Sequence, residues 1–252
     1  MKKLFLKILF VSLLQSFFVS NAQISQLFRN KDRVEQRQEQ DTYPFSYGFF
    51  LNLNNFDYKM VLNPKYGMYN NQNLVQSKPT YSFGAGLIAK MRLNDNFDLR
   101  LEPGLQFVDR ELTFDTQVNS TELTLTNADR IRKVKSTYAD VPLLLEFHMD
   151  RWYNSRPYVA GGFNYMMNLQ SNAKSADDNQ QGIFRSTTHN FGWSAEMGIQ
   201  FYFSRFKLTP GFRGTFFFNN EMVADNAGTP PYWTAAINTM QTRAFMFVLK
   251  FE

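Results

Sequence analysis

With no cysteine in the chain, thiolate nucleophiles, disulfides and Cys-ligated zinc are all excluded. Any proton transfer or metal binding then falls to two histidines, His148 and His189. A hydrolase or acyltransferase needs a nucleophile beside a histidine that a carboxylate orients. His189 follows Ser186, Thr187 and Thr188, and His148 alternates with Glu146. Neighbours in sequence do not make a triad, so both are expected to be plain histidines and no catalytic residue is assigned. Asp177-Asp178-Asn179 offers oxygen ligands without completing a calcium-type spacing, so neither a metal nor a cofactor is expected. Arg130, Arg132, Lys133 and Lys135 form a basic run that either meets lipopolysaccharide phosphates or ends a hydrated loop. Gly84, Gly86, Gly161 and Gly162 lack a phosphate-loop context and suit the relief of crowding in curved strands. Arg100, Glu102, Glu146, Glu196 and Arg213 fall on the polar faces of alternating segments. They are expected to serve as structural ion pairs in a lumen.

The elements that must position these groups follow from composition and period. Aromatic residues reach 17%, with 27 Phe and 12 Tyr, yet the mean hydropathy is negative. A membrane barrel has this profile because only alternate residues of each strand face lipid. Residues 1–22 read as a secretory signal peptide: Lys2, Lys3 and Lys7 precede a mainly apolar stretch, and Ser20-Asn21-Ala22 supplies small residues for cleavage before Gln23. Without those lysines the chain is close to neutral, which gives no reason to expect nucleic acid. Residues 23–44 mix basic and acidic side chains with frequent Gln and read as a polar periplasmic linker.

From 45 to 252 the dominant period is two, over eight segments: 45–54, 79–92, 97–108, 137–148, 157–169, 190–203, 206–219 and 239–251. Strict alternation argues strands. A soluble sandwich or lipocalin-like barrel would alternate too. Three features favour the membrane. The segments are long for soluble strands and suit tilted crossings of ~9–11 residues. Charges sit at mid-segment on a face rich in Gly, Ser and Asn. Tyr81, Phe97, Phe107, Phe191, Phe203, Phe206 and Phe218 lie at segment ends, where interfacial girdles belong. Long and short connections alternate. Residues 93–96, 149–156 and 204–205 are expected in the periplasm, and 55–78, 109–136, 170–189 and 220–238 outside. The expected fold is all-β, an up-and-down antiparallel transmembrane barrel of about eight strands in the cell outer membrane.

Three stretches carry a family resemblance. Tyr138-Ala139-Asp140-Val141-Pro142-Leu143-Leu144-Leu145-Glu146-Phe147 resembles the (E/D)-(I/V)-P-L-L-L-K-(Y/F) strand of the Bacteroidetes PorT-like (SprT) outer-membrane barrels. Arg156-Pro157-Tyr158-Val159-Ala160-Gly161-Gly162 is similar to that family's R-P-Y-V-x-G-G strand. Phe201-Tyr202-Phe203-Ser204-Arg205-Phe206-Lys207-Leu208-Thr209-Pro210 is similar to its F-Y-F-x-x-F-K-x-x-P-E hairpin, with Gly211 in place of the final Glu. The resemblance implies a component of the type IX secretion system, which exports folded cargo and in many relatives supports gliding motility. It also implies that the barrel is needed for secretion without being the conduit, because eight strands leave room only for side chains. The partners it implies are outer-membrane lipid and other secretion-system proteins, with no small-molecule substrate. A small porin-like or structural barrel, or a barrel lipid hydrolase, are the alternatives.

Overall fold

The computed structural model describes residues 41–115, 130–175, 184–226 and 233–252. The expected signal peptide, residues 23–40 of the linker and Asp177-Asp178-Asn179 lie outside the described residues. The described residues form twelve strands: β1 Phe45–Leu62, β2 Met68–Tyr69, β3 Gln72–Asn73, β4 Val75–Pro79, β5 Tyr81–Arg92, β6 Phe97–Leu101, β7 Gly104–Phe114, β8 Ile131–His148, β9 Ser155–Asn168, β10 His189–Tyr202, β11 Lys207–Phe217 and β12 Ile237–Phe251. β2 and β3 form a hairpin of their own, turned at Asn70 and Asn71. Both have positive φ, which Asn tolerates better than most residues.

The other ten strands form one antiparallel sheet that closes on itself, because β1 pairs with β12 on one side and β5 on the other. Two breaks merge four of these strands into two staves. Thr80 separates β4 from β5, and Glu102-Pro103 separates β6 from β7. The result is eight staves connected up and down, with the short turns where the sequence places them. Across the membrane band closure leaves no unpaired edge among the described residues, as lipid demands; above it β4 pairs only with β7.

The outer connections are shorter than the sequence reading expects. β1 runs on to Leu62, β7 to Phe114, and β8 begins at Ile131. The reason is a change of phase. Up to Leu53 the outward residues of β1 are Phe45, Tyr47, Phe49, Leu51 and Leu53, with Asn52 and Asn54 buried inside. Beyond that level Asn55, Asp57 and Lys59 face out, while Phe56, Tyr58 and Leu62 are buried inside. β7 makes the same switch after Phe107, where Asp109 and Glu111 face out and Leu112 and Phe114 face in. So does β8 above Thr137, with Lys133 and Lys135 outward and Val134 inward. In β12 the outward residues pass from Phe245 to Arg243 and Gln241. Each strand leaves a medium where apolar groups face outward and enters one where they face inward. The switch therefore marks the outer membrane–water boundary.

Outward aromatics ring both boundaries. Phe49–Phe251 and Phe203–Phe206 stack on the periplasmic side, each with centroids 5.0 Å apart, and Phe97 packs tilted against Phe147 at 5.2 Å. Tyr81, Phe107, Phe191 and Phe218 are exposed at the opposite level.

Candidate functional site

The interior is built in three tiers. The middle tier joins the five charged residues that the alternation puts on polar faces. Arg100 on β6 contacts Glu146 on β8, Glu196 on β10 at 2.7 Å and Glu102 at 3.0 Å. Arg213 on β11 bonds Glu102 and grips Glu196, donating from Nε at 2.7 Å. The sequence reading did not include Lys250, Tyr158 and Gln200. Lys250 on β12 reaches Glu102 at 2.9 Å and also Glu196. The Tyr158 hydroxyl donates to Glu196 at 2.6 Å, and Gln200 donates to Glu146 at 2.5 Å. Lys250 was detectable as the one cation alternating with Leu249 and Phe251. Tyr158 was hidden because an aromatic at a strand end reads as girdle. The tier balances three cations against three carboxylates, all at most 3% exposed; the charges come from five of the eight staves and Tyr158 from a sixth. Burial of unpaired charge is prohibitive, and this mutual compensation offsets much of the cost. The remaining staves contribute Phe50, the odd aromatic on the polar face of β1. Its ring lies where side chains on Gly86 and Gly104 would otherwise stand, 2.5 and 2.8 Å from the Cβ positions.

The four singled-out glycines thus have different roles. Added Cβ atoms at Gly84 and Gly162 would fall 2.0 Å from Gln106 Oε1 and the Leu143 carbonyl, whereas at Gly161 the nearest atom is 3.8 Å away. Gly84, Gly86 and Gly162 relieve crowding. Gly161 faces outward and relieves none.

The lower tier is the periplasmic mouth. His148 Nε2 lies 3.1 Å from Asp98, which also carries Lys90 at 3.1 Å. Lys207 pairs with Glu252, and Lys90 stands 3.7 Å from the same carboxylate. Burial would raise the Glu252 carboxyl, but Lys207 and Lys90 outweigh it and hold the group well below the usual carboxylate range. Asp41, from the end of the expected linker, is fastened here by Tyr202 at 2.7 Å, Arg151 at 3.3 Å and Arg156 at 3.6 Å. A polar pocket of about 10 Å³, at the limit for one water, lies among Asp41, Ser46, Lys90, Asp98, His148 and Arg156. Asp98, Glu146 and His148 come within 4.8 Å of one another, a spacing a metal could use. Their carboxylates are already taken, by Lys90 on Asp98 and by Arg100 and Gln200 on Glu146.

The upper tier closes the extracellular end. Glu221, on the connection between β11 and β12, is fully buried. It accepts hydrogen bonds from Tyr138 at 2.8 Å, Asn190 at 3.3 Å and Thr242, with Arg110 at 3.8 Å. Above it an apolar cluster including Leu62, Leu112, Phe114, Val134, Phe184, Trp233, Ile237 and Met240 fills the mouth. Of the basic run, Arg132 turns inward and lays its guanidinium 3.8 Å over the Trp233 ring, while Lys133 and Lys135 face outward. Ser186 and His189 are not brought together. Ser186 Oγ accepts from Asn168 at 2.9 Å inside, and His189 Nδ1 sits 2.8 Å from the Tyr165 hydroxyl outside.

A family model described as an outer membrane protein beta-barrel domain matches residues 22–223. Among solved structures the chain is similar to OprG from Pseudomonas aeruginosa, at 14% identity and a TM-score of 0.41, covering 81% of this chain and 94% of that one. It is also similar to AlkL, solved in DMPC lipid bilayers, at 13% identity and a TM-score of 0.42, covering 82% and 86%. Neisserial surface protein A gives 9%, 0.39, 82% and 98%. No curated protein matches in sequence.

Proposed function

This chain belongs to the family of outer membrane protein beta-barrel domains, and from that premise we propose that it is a non-conducting barrel without chemistry of its own. In this reading it supports protein secretion, as an assembly or stabilising component of the type IX secretion system. The observation that carries the non-conducting, non-enzymatic part is the filled interior. A neutral six-charge network crosses the lumen, and an apolar cluster closes its outer end. These two fillings lie in series along the lumen, and neither histidine is hydrogen-bonded to a Ser or Thr hydroxyl among the described residues. The secretion role rests on the resemblance of the stretches 138–147, 156–162 and 201–210 to PorT-like barrels. The partners are then other secretion-system proteins, met through the outer connections and the segment 23–44, since function concentrates in loops held on a rigid scaffold.

The test is a deletion strain assayed for type IX cargo in the medium. The expected result is loss of secreted cargo, restored by the wild-type gene and equally by His148→Ala or His189→Ala. Replacing 116–129 is expected to impair secretion while the barrel still folds. Normal secretion with altered small-solute uptake would establish the porin-like reading instead. Loss of activity on His189→Ala in a folded barrel would establish an enzyme.

A further inference from the structure

The phase switch divides the outer surface into a lipid-facing band and a wall that rises above it, and the charges on that wall are uneven. On the outward faces of β1, β4, β7, β8 and β12 above the switch stand Lys59, Lys78, Lys133, Lys135 and Arg243, against Asp57, Asp109 and Glu111. The cations are the more exposed set. Lys59, Lys78, Lys133, Lys135 and Arg243 are all exposed, whereas the three carboxylates are half-buried. Two of the carboxylates are engaged, Asp57 with Arg243 at 2.7 Å and Asp109 with Lys135 at 3.9 Å. Lys59, Lys78 and Lys133 form no ion pair with any described residue. The backbone register places Glu111 between Lys78 and Lys133, one carboxylate beside two lysines. The opposite side of the barrel differs. β9, β10 and β11 end near the switch with Met167, His189 and Phe216 outward, and carry no lysine or arginine there.

We propose that this one-sided wall binds phosphate-bearing lipid headgroups of the outer leaflet, of the lipid A type. The argument is one of position and charge. A headgroup phosphate lies just beyond the hydrocarbon, at the level where Leu53, Phe107 and Phe245 give way to Asp57, Asp109 and Arg243. Lys135 and Arg243 stand at that level and Lys59, Lys78 and Lys133 two residues above it, so flexible stems can bring their cationic ends down to the phosphates. The wall carries a net positive charge because its carboxylates are too few, so an anion on the lipid side supplies the missing counter-charge. The inference uses only the outer-membrane placement and does not depend on a role in secretion.

The test titrates the refolded full chain in neutral detergent with bisphosphorylated lipid A and with the same lipid stripped of phosphate, counting bound lipids by native mass spectrometry. Lysines near a phosphate surface contribute about fivefold each, so the wild type is expected to prefer the phosphorylated lipid roughly a hundredfold. Lys59→Gln/Lys78→Gln/Lys133→Gln is expected to lose nearly all of that preference. Arg205→Gln, which removes an exposed charge from the periplasmic turn, is expected to retain it. Equal binding of both lipids by the wild type would overturn the proposal, as would an undiminished preference in the triple variant. If the triple variant fails to fold, Lys133→Gln alone is expected to show about a fivefold loss, and no loss in it would overturn the proposal equally.

Discussion

Replacing Arg213 with Met tests the central charge tier most severely. Arg213 is fully buried and holds both Glu102 and Glu196, two of the three carboxylates of the tier. Met keeps much of the side-chain volume but leaves two cations, Arg100 and Lys250, to neutralise three anions. Removing one member of a buried pair costs about 3–5 kcal/mol, because the partner remains desolvated without compensation. Pairing Arg213→Met with Glu102→Gln restores the balance, and the double variant is expected to regain much of that loss. The assay is urea unfolding of the barrel in lipid vesicles, followed by Trp fluorescence and read as a double-mutant cycle. A loss below about 1 kcal/mol in the single variant would show that water already screens the tier. Full additivity in the double variant would show that Arg213 and Glu102 do not interact, and would refute the reasoning.

Neighbouring glycines should behave oppositely. Gly162→Ala, whose Cβ would overlap the Leu143 carbonyl, is expected to lose about 1–3 kcal/mol. Gly161→Ala is expected to be neutral, with heat-modifiable gel migration as the measure for both. Stability should depend on pH through Glu252. Its folded carboxyl is depressed, so its contribution is present above the unfolded carboxylate pKa of about 4.3 and is lost as pH falls below that value. The stability advantage of wild type over Glu252→Gln should accordingly shrink between pH 7 and pH 3 in denaturant titrations. Topology is checked by labelling intact cells: a tag at Asn71, in the β2–β3 turn, is expected to react and one at Asn154, in the β8–β9 turn, is not.

Much of this architecture was legible because lipid imposes a period of two that survives in the sequence. The stave count, the short turns and the outward aromatics all follow from it. What the alternation concealed is its own inversion. Residues 55–62, 109–114 and 131–136 alternate as regularly as the membrane segments. Their outward members include Asp57, Lys59, Asp109, Glu111, Lys133 and Lys135, however, so they resemble loops when read with lipid-facing expectations. Phe56, Tyr58, Leu112 and Phe114 were the signal, apolar residues continuing the parity of Asn52, Asn54, Gln106 and Arg110. The central charges could be placed on the inner face from sequence, but their partners could not, because register across six staves is a tertiary property. Glu221 is the clearest case. It lies in a connection expected to be external, and only the folded loop brings it back to Tyr138 and Thr242.

The central claim is that the lumen is sealed, and single-channel recording tests it most directly. Purified barrel inserted into planar bilayers at neutral pH is expected to give no stable conductance steps, because the charge tier and the apolar cluster containing Trp233 fill the interior in series. Reproducible open channels from the wild-type protein, sensitive to substitution of Glu221 or Arg213, would contradict it.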